Sequence, residues 1–184
     1  MRIVVLHILL IYAIAGCKPQ NEMDPAANDA PLQDEKAILT TVNNVYGNIV
    51  VDSVNTPDFE LIKRQFTSGA RLGYLTGDSL VLKSPQAYFD HMAVMLDSDS
   101  TIVYLREWEI QGETRQFGDI AQRTSLYGVH FNTTDSLAER GIINFQLVQV
   151  KGEWKILSMI WQAEREDLQV SESYFECVKI QTGN

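Results

Sequence analysis

Glu107 and Glu109 stand two residues apart in a segment whose polarity alternates with period two. Both side chains therefore leave the same face of a strand. The same alternation places Arg123, Ser125 and Tyr127 on one face of the next segment, and Asn144 and Gln146 on one face of the one after. Paired carboxylates beside a guanidinium and a phenol can do two kinds of chemistry. They can orient a polar ligand through charge-assisted hydrogen bonds, or they can supply acid and base. The same residues could also be the solvated face of an antiparallel sheet, laced with cross-strand ion pairs. Alternation groups side chains but does not fix register, so both readings stay open. His91, three residues after Tyr88 and four before Met95, joins the set as a residue of a pocket mouth. Its neighbour Asp90 cannot share its helix face, so the two make no dyad. The candidate ligand-binding residues are Glu107, Glu109, Arg123, Tyr127, Asn144 and His91, with no catalytic role assigned to any of them.

Other chemistries find no support in the sequence. The remaining internal histidine, His130, ends a strand beside a polar loop and is expected to be exposed. There is no paired-cysteine spacing and no His-Glu-x-x-His, so neither a metal nor another cofactor is expected. No glycine-rich phosphate loop and no Gly-x-Ser-x-Gly elbow occurs. A net charge of −9 argues against a nucleic-acid partner, which would need a basic face.

The elements that must carry these residues follow from periodicity. Ile38, Val42, Val45, Ile49 and Val50 recur at helical spacing, which predicts a helix over about 34–54, with Asp34 and Glu35 at its positive end. Pro57 and Asp58 open a second helix whose apolar stripe is Phe59, Ile62 and Phe66 and which ends at Ser68-Gly69. Two short strands, 71–75 and 80–83, flank the turn Thr76-Gly77-Asp78-Ser79. Ser84-Pro85 starts a third helix that runs to about Leu96. Four strands follow, at 101–117, 119–132, 140–151 and 153–163, joined by connections short enough for an antiparallel meander. Trp108, Trp154 and Trp161 are read as core rather than as cavity lining.

The N-terminus has a separate logic. Arg2 precedes an apolar run from Ile3 to about Ala13, then small residues and Cys17, in the layout of a secretory signal. The run is too short to span a bilayer. Ile14-Ala15-Gly16-Cys17 resembles the bacterial lipobox. That resemblance implies cleavage before Cys17, acylation of its thiol and amine, and a lipid-anchored place in the bacterial cell envelope. Lys18 after the cysteine implies the outer membrane. With Cys17 acylated, Cys177 has no partner in the chain. The polar, proline-bearing stretch 17–33 reads as a disordered tether. The organisation is then 1–16 signal peptide, 17–33 tether, 34–164 folded domain and 165–184 tail.

Three helices with a small hairpin, followed by a long antiparallel sheet, make an α+β fold. The order resembles the nuclear transport factor 2-like superfamily, and local residues resemble its SnoaL-like members: Arg106 to Ile110, Gln116 to Gln122, Arg140 to Leu147, and Trp154 to Trp161. The resemblance implies a cone in which three N-terminal helices pack on a strongly curved antiparallel sheet. It does not imply one activity, since the fold hosts enzymes and binding domains alike. The expectation is a lipid-anchored domain that holds a small apolar or amphipathic ligand in its cone, without demonstrated catalysis. Two alternatives stay open. One is an acid–base enzyme of SnoaL or ketosteroid-isomerase type, using Glu107, Glu109, Tyr127 or His91. The other is an interaction module whose function is homodimerisation, sheet against sheet. A buried carboxyl with a raised pKa would favour the enzyme.

Overall fold

The computed structural model describes residues 25–175. Cys17, Cys177 and the signal segment lie outside the described residues. The chain order is α1 (Pro25–Tyr46), β1 (Val50–Val51), α2 (Phe59–Lys63), β2 (Phe66–Thr76), β3 (Ser79–Lys83), α3 (Pro85–Ser98), β4 (Leu105–Phe117), β5 (Ile120–Phe131), β6 (Glu139–Val150) and β7 (Glu153–Ala163). The strands form one curved, seven-stranded sheet in the order β1-β4-β5-β6-β7-β2-β3.

The four long strands pair antiparallel in sequence order, as the short connections require. Gly118 at φ 55° and Gly152 at φ 82° turn two of those corners in the left-handed region that favours glycine. The sheet is not wholly antiparallel, however. β2 pairs parallel to β7, with Leu72 beside Met159 and Tyr74 beside Trp161. The two strands are far apart in sequence, so no turn residue signals their pairing. Bulges beside Glu109 on β4 and beside Gln146 on the β6–β7 ladder add an unpaired residue each and bend the strands. β6 and β7 lie close together at Gly141. A Cβ there would meet the Gln162 carbonyl and lie 2.7 Å from the Ala163 Cα, so only glycine fits.

One sheet face is covered by helix. Ile38, Val42 and Val45 of α1 and Phe89 of α3 pack on Phe145, Leu147, Ile156 and Met159 in one apolar cluster. β5 and β6 show the alternation that a half-covered sheet demands: Arg123 and Ser125, then Ile143 and Phe145, are buried, while Gln122 and Gln146 are exposed.

Several boundaries differ from the sequence reading. α1 starts at Pro25, inside the stretch expected to be a tether, and stops at Tyr46 instead of about 54, because Gly47 ends it. Asp34 is consequently not an end charge. It lies within α1 and accepts hydrogen bonds from Gln116 Nε2 (2.8 Å), Trp154 Nε1 (3.3 Å) and Gln149 Nε2 (3.4 Å), clasping three strands. α2 is one turn long, capped by the Asp58 carboxylate accepting from the Leu61 amide at 2.8 Å. Phe66, at helical spacing from Ile62, instead begins β2.

Candidate functional site

The site begins with register. Glu107 of β4 pairs with Val129 of β5, and Val129 pairs with Glu139 of β6. Cross-strand partners share a face, so the two glutamates flank one valine on the helix-covered side of the sheet. Tyr127, two residues before Val129, points the same way and donates its hydroxyl to Glu139 Oε1 at 2.6 Å. α1 lowers Tyr46 onto this region, and α3 lowers Tyr88, Phe89 and Met92. The result is a cavity of about 80 Å³ enclosed by those residues together with Ile143, Phe145, Met159 and Trp161. It holds several water-sized groups.

Glu107 is the unusual member. The residue is half-buried between the cavity and a groove beside α1 and β4, its carboxyl oxygens keep some access to solvent, and it makes no hydrogen bond among the described residues. Loss of hydration first, and then the negative charge of Glu139, push its pKa up to about 8. Burial also raises the phenols of Tyr46, Tyr88 and Tyr127, so these stay protonated at any ordinary pH. The cavity thus offers one carboxyl poised to gain or lose a proton near neutrality, beside a second carboxyl already hydrogen-bonded.

A second polar cluster supports the first. Arg123 forms a bidentate ion pair with Glu109: its Nε donates to Oε2 at 2.8 Å and its Nη2 reaches Oε1. Arg123 Nη1 donates to Thr114 Oγ1 at 2.6 Å. Ser125 donates to Glu109 Oε2 at 2.7 Å, which leaves the Ser125 oxygen to accept from the Tyr46 hydroxyl at 2.8 Å. The chain Arg123–Glu109–Ser125–Tyr46 therefore pins a ring that lines the cavity. Gly112 makes room for it, since a Cβ there would lie 2.6 Å from Arg123 Nη2 and from Glu109 Oε2. Glu107 and Tyr46 also border a groove of about 530 Å³ between α1, β1 and β4, and stand between that groove and the cavity.

Of the residues named from sequence, Glu107, Glu109, Arg123 and Tyr127 come together on the covered face. Two do not join them. Asn144 lies on the opposite face, accepting from Thr124 at 2.9 Å, because its register partner alternates outward with it. His91 is exposed on the outer side of α3, while the next residue, Met92, reaches the cavity. His130 is half-buried, its ring 4.7 Å from that of Trp108, instead of free in solvent. Trp161 lines the cavity besides packing on the core. Glu139, Tyr46 and Tyr88 were missed. Glu139 is two residues before Gly141, so the alternation of β6 carries it inward once the strand starts at 139 and not 140. Tyr46 follows Val42 by one helical turn and reads as core stripe. No group of three or more metal-ligating side chains occurs among the described residues.

No family model and no curated protein matches the sequence. Solved structures do. A candidate scytalone dehydratase from Novosphingobium aromaticivorans superposes with a TM-score of 0.59 at 14% identity, over 78% of this chain and 93% of that one. A candidate dehydratase from Streptomyces avermitilis, of the nuclear transport factor 2-like family, gives 0.55 at 12% identity, over 73% and 99%. A nuclear transport factor 2-like protein of unknown function from Shewanella baltica gives 0.51 at 16% identity, over 73% and 96%. At such identities the likeness establishes the fold.

Proposed function

We propose that this chain, which has the nuclear transport factor 2-like fold, moves a proton between Glu107 and a small organic molecule held in its cavity. One observation carries the reading: a cavity-lining carboxyl that makes no hydrogen bond among the described residues, with its pKa pushed up to about 8. A general acid–base group works best when its pKa lies near the working pH. Tyr127 and Glu139 face the same space and orient the molecule, and Tyr46 is held in place through Ser125. Two of the similar structures are described as candidate dehydratases; that description belongs to those proteins and is compatible with the reading. The test is deuterium incorporation from D2O into small enolisable ketones, followed by NMR at pH 8. Glu107→Gln should lower the exchange rate about 10²-fold or more. An unchanged rate in that variant would remove Glu107 from the chemistry.

The same proposal places the domain on a membrane. Ile14-Ala15-Gly16-Cys17 after an apolar run supports acylation of Cys17, hence anchoring in the bacterial cell envelope, with Lys18 favouring the outer membrane. Cys17→Ala should yield protein that leaves the membrane fraction. A lipid-dependent membrane association that survives the substitution would contradict the anchor.

A homodimer completes the reading. The sheet face away from the helices carries a groove lined by Phe117, Ile120, Val148 and Leu157, and Phe117 is 85% exposed. Apolar area of this kind is covered in most oligomers by a second copy of the same face. Sedimentation of the mature chain at tens of micromolar should give the dimer mass, and Phe117→Asp should give the monomer. A monomer in both cases would show that the face is free.

A further inference from the structure

The cavity has an unbalanced charge. Its lining contains two carboxyl groups, Glu107 and Glu139, and three phenols, Tyr46, Tyr88 and Tyr127, but no lysine, arginine or histidine. The buried cation Arg123 is already committed, since its guanidinium bonds Glu109 and Thr114. The remaining walls are aromatic (Phe89, Phe145, Trp161), thioether (Met92, Met159) and aliphatic. Tyr88 and Trp161 meet with ring centroids 5.4 Å apart and planes at 76°, and Tyr74 stacks behind Trp161 at 5.1 Å. Aromatic rings and carboxyl groups lining one small space match the two attractions an organic cation seeks. These are the negative face of an aromatic ring and an opposite charge at low dielectric. Glu107, which lines the cavity and makes no hydrogen bond among the described residues, is the group that such a ligand would satisfy.

We infer that the cavity recognises a small organic cation, an amine or quaternary ammonium group, with Trp161 and Tyr88 against its carbon shell and Glu107 and Glu139 opposing its charge. This shares with the acid–base reading the premise that the ligand enters the cavity, and adds its chemical class. An anion is disfavoured by both carboxyl groups, and a neutral molecule of equal size forgoes both attractions.

A permanent cation makes the test clean, because it does not titrate. Tetramethylammonium, tert-butanol and pivalate are similar in size and differ in charge. Calorimetric titration of the full mature chain should find tetramethylammonium bound at least about tenfold more tightly than tert-butanol, a free energy difference of about 1.4 kcal/mol, and pivalate not bound. Affinity for the cation should rise about tenfold or more between pH 6.5 and 9 as Glu107 ionises. The other groups facing the space do not work against this. The phenols of Tyr46, Tyr88 and Tyr127 stay neutral because burial raises them, Glu139 keeps its hydrogen bond from Tyr127, and Glu109 is locked to Arg123. Glu107→Gln should abolish the pH rise, and Trp161→Leu should weaken the cation at every pH. Equal binding of tert-butanol, binding of pivalate, or no heat from tetramethylammonium would overturn the inference. Side-chain NMR of Glu107 separates the two readings. A midpoint near 8 without cation binding refutes only the ligand class, whereas cation binding with an ordinary Glu107 midpoint refutes only the proton transfer.

Discussion

Arg123→Ala is expected to destabilise the domain by about 3–5 kcal/mol, the cost of leaving a buried carboxylate without its partner. The side chains of Arg123 and Glu109 keep only 6% and 14% of their surface exposed. The guanidinium makes two bonds to the carboxylate and one to Thr114, so its removal strips Glu109 of everything but Ser125. Chemical denaturation at pH 7 measures the loss. The double variant Arg123→Met with Glu109→Gln should recover much of it, because no unpaired charge then remains. A loss of about 1 kcal/mol or less is what an exposed ion pair gives, and would mean that this pair is solvated. A further consequence reaches the cavity. Without Glu109 held in place, Ser125 no longer fixes the Tyr46 hydroxyl, so the variant should also weaken ligand binding.

Glu107→Gln should stabilise the protein in mild alkali, the reverse of most substitutions at a working site. The sign follows from linkage. The folded-state pKa of Glu107 is about 8, above the ordinary value of 4.5, so the folded chain holds a proton that the unfolded chain has released. That proton favours folding fully below about pH 4.5, and the benefit is lost as pH rises towards 8, at about 1.4 kcal/mol per pH unit. Glutamine resembles the protonated acid and carries no such dependence. At pH 8 to 9 the variant should therefore exceed the parent by about 2 kcal/mol or more, while at pH 5 the two should be nearly equal. The difference between the two proteins isolates Glu107 from every other titrating group. A constant difference across that range would show that Glu107 ionises as an ordinary surface acid.

What the sequence disclosed was what local chemistry encodes. Glycines at the corners and period-two alternation placed β4 to β7 within a few residues, and Ser84-Pro85 placed the start of α3, whose cap accepts from the Ala87 amide at 3.2 Å. The resemblance to the nuclear transport factor 2-like superfamily agrees with the fold. Long-range information was not there to read. Nothing near Phe66 announces a parallel pairing with β7, and the four-residue spacing from Ile62 fits a helix equally well. The site divides in the same way. Alternation grouped Arg123 with Tyr127 and Glu107 with Glu109, and both groups face the covered side. It also grouped Asn144 with Gln146, yet only the pairing of Asn144 with Thr124 reveals that they face outward. Glu139 was lost to a one-residue error in a strand boundary, and with it the second carboxyl of the cavity.

The acid–base account stands on the state of Glu107, and its titration is the most direct test. Protein labelled with carbon-13 at glutamate side-chain carboxyls, assigned by comparison with Glu107→Gln, is followed by NMR from pH 4 to 10. The account expects one carboxyl resonance, absent from the variant, with a midpoint near 8. A midpoint near 4.5 for that resonance would show a solvated carboxylate and would contradict the account.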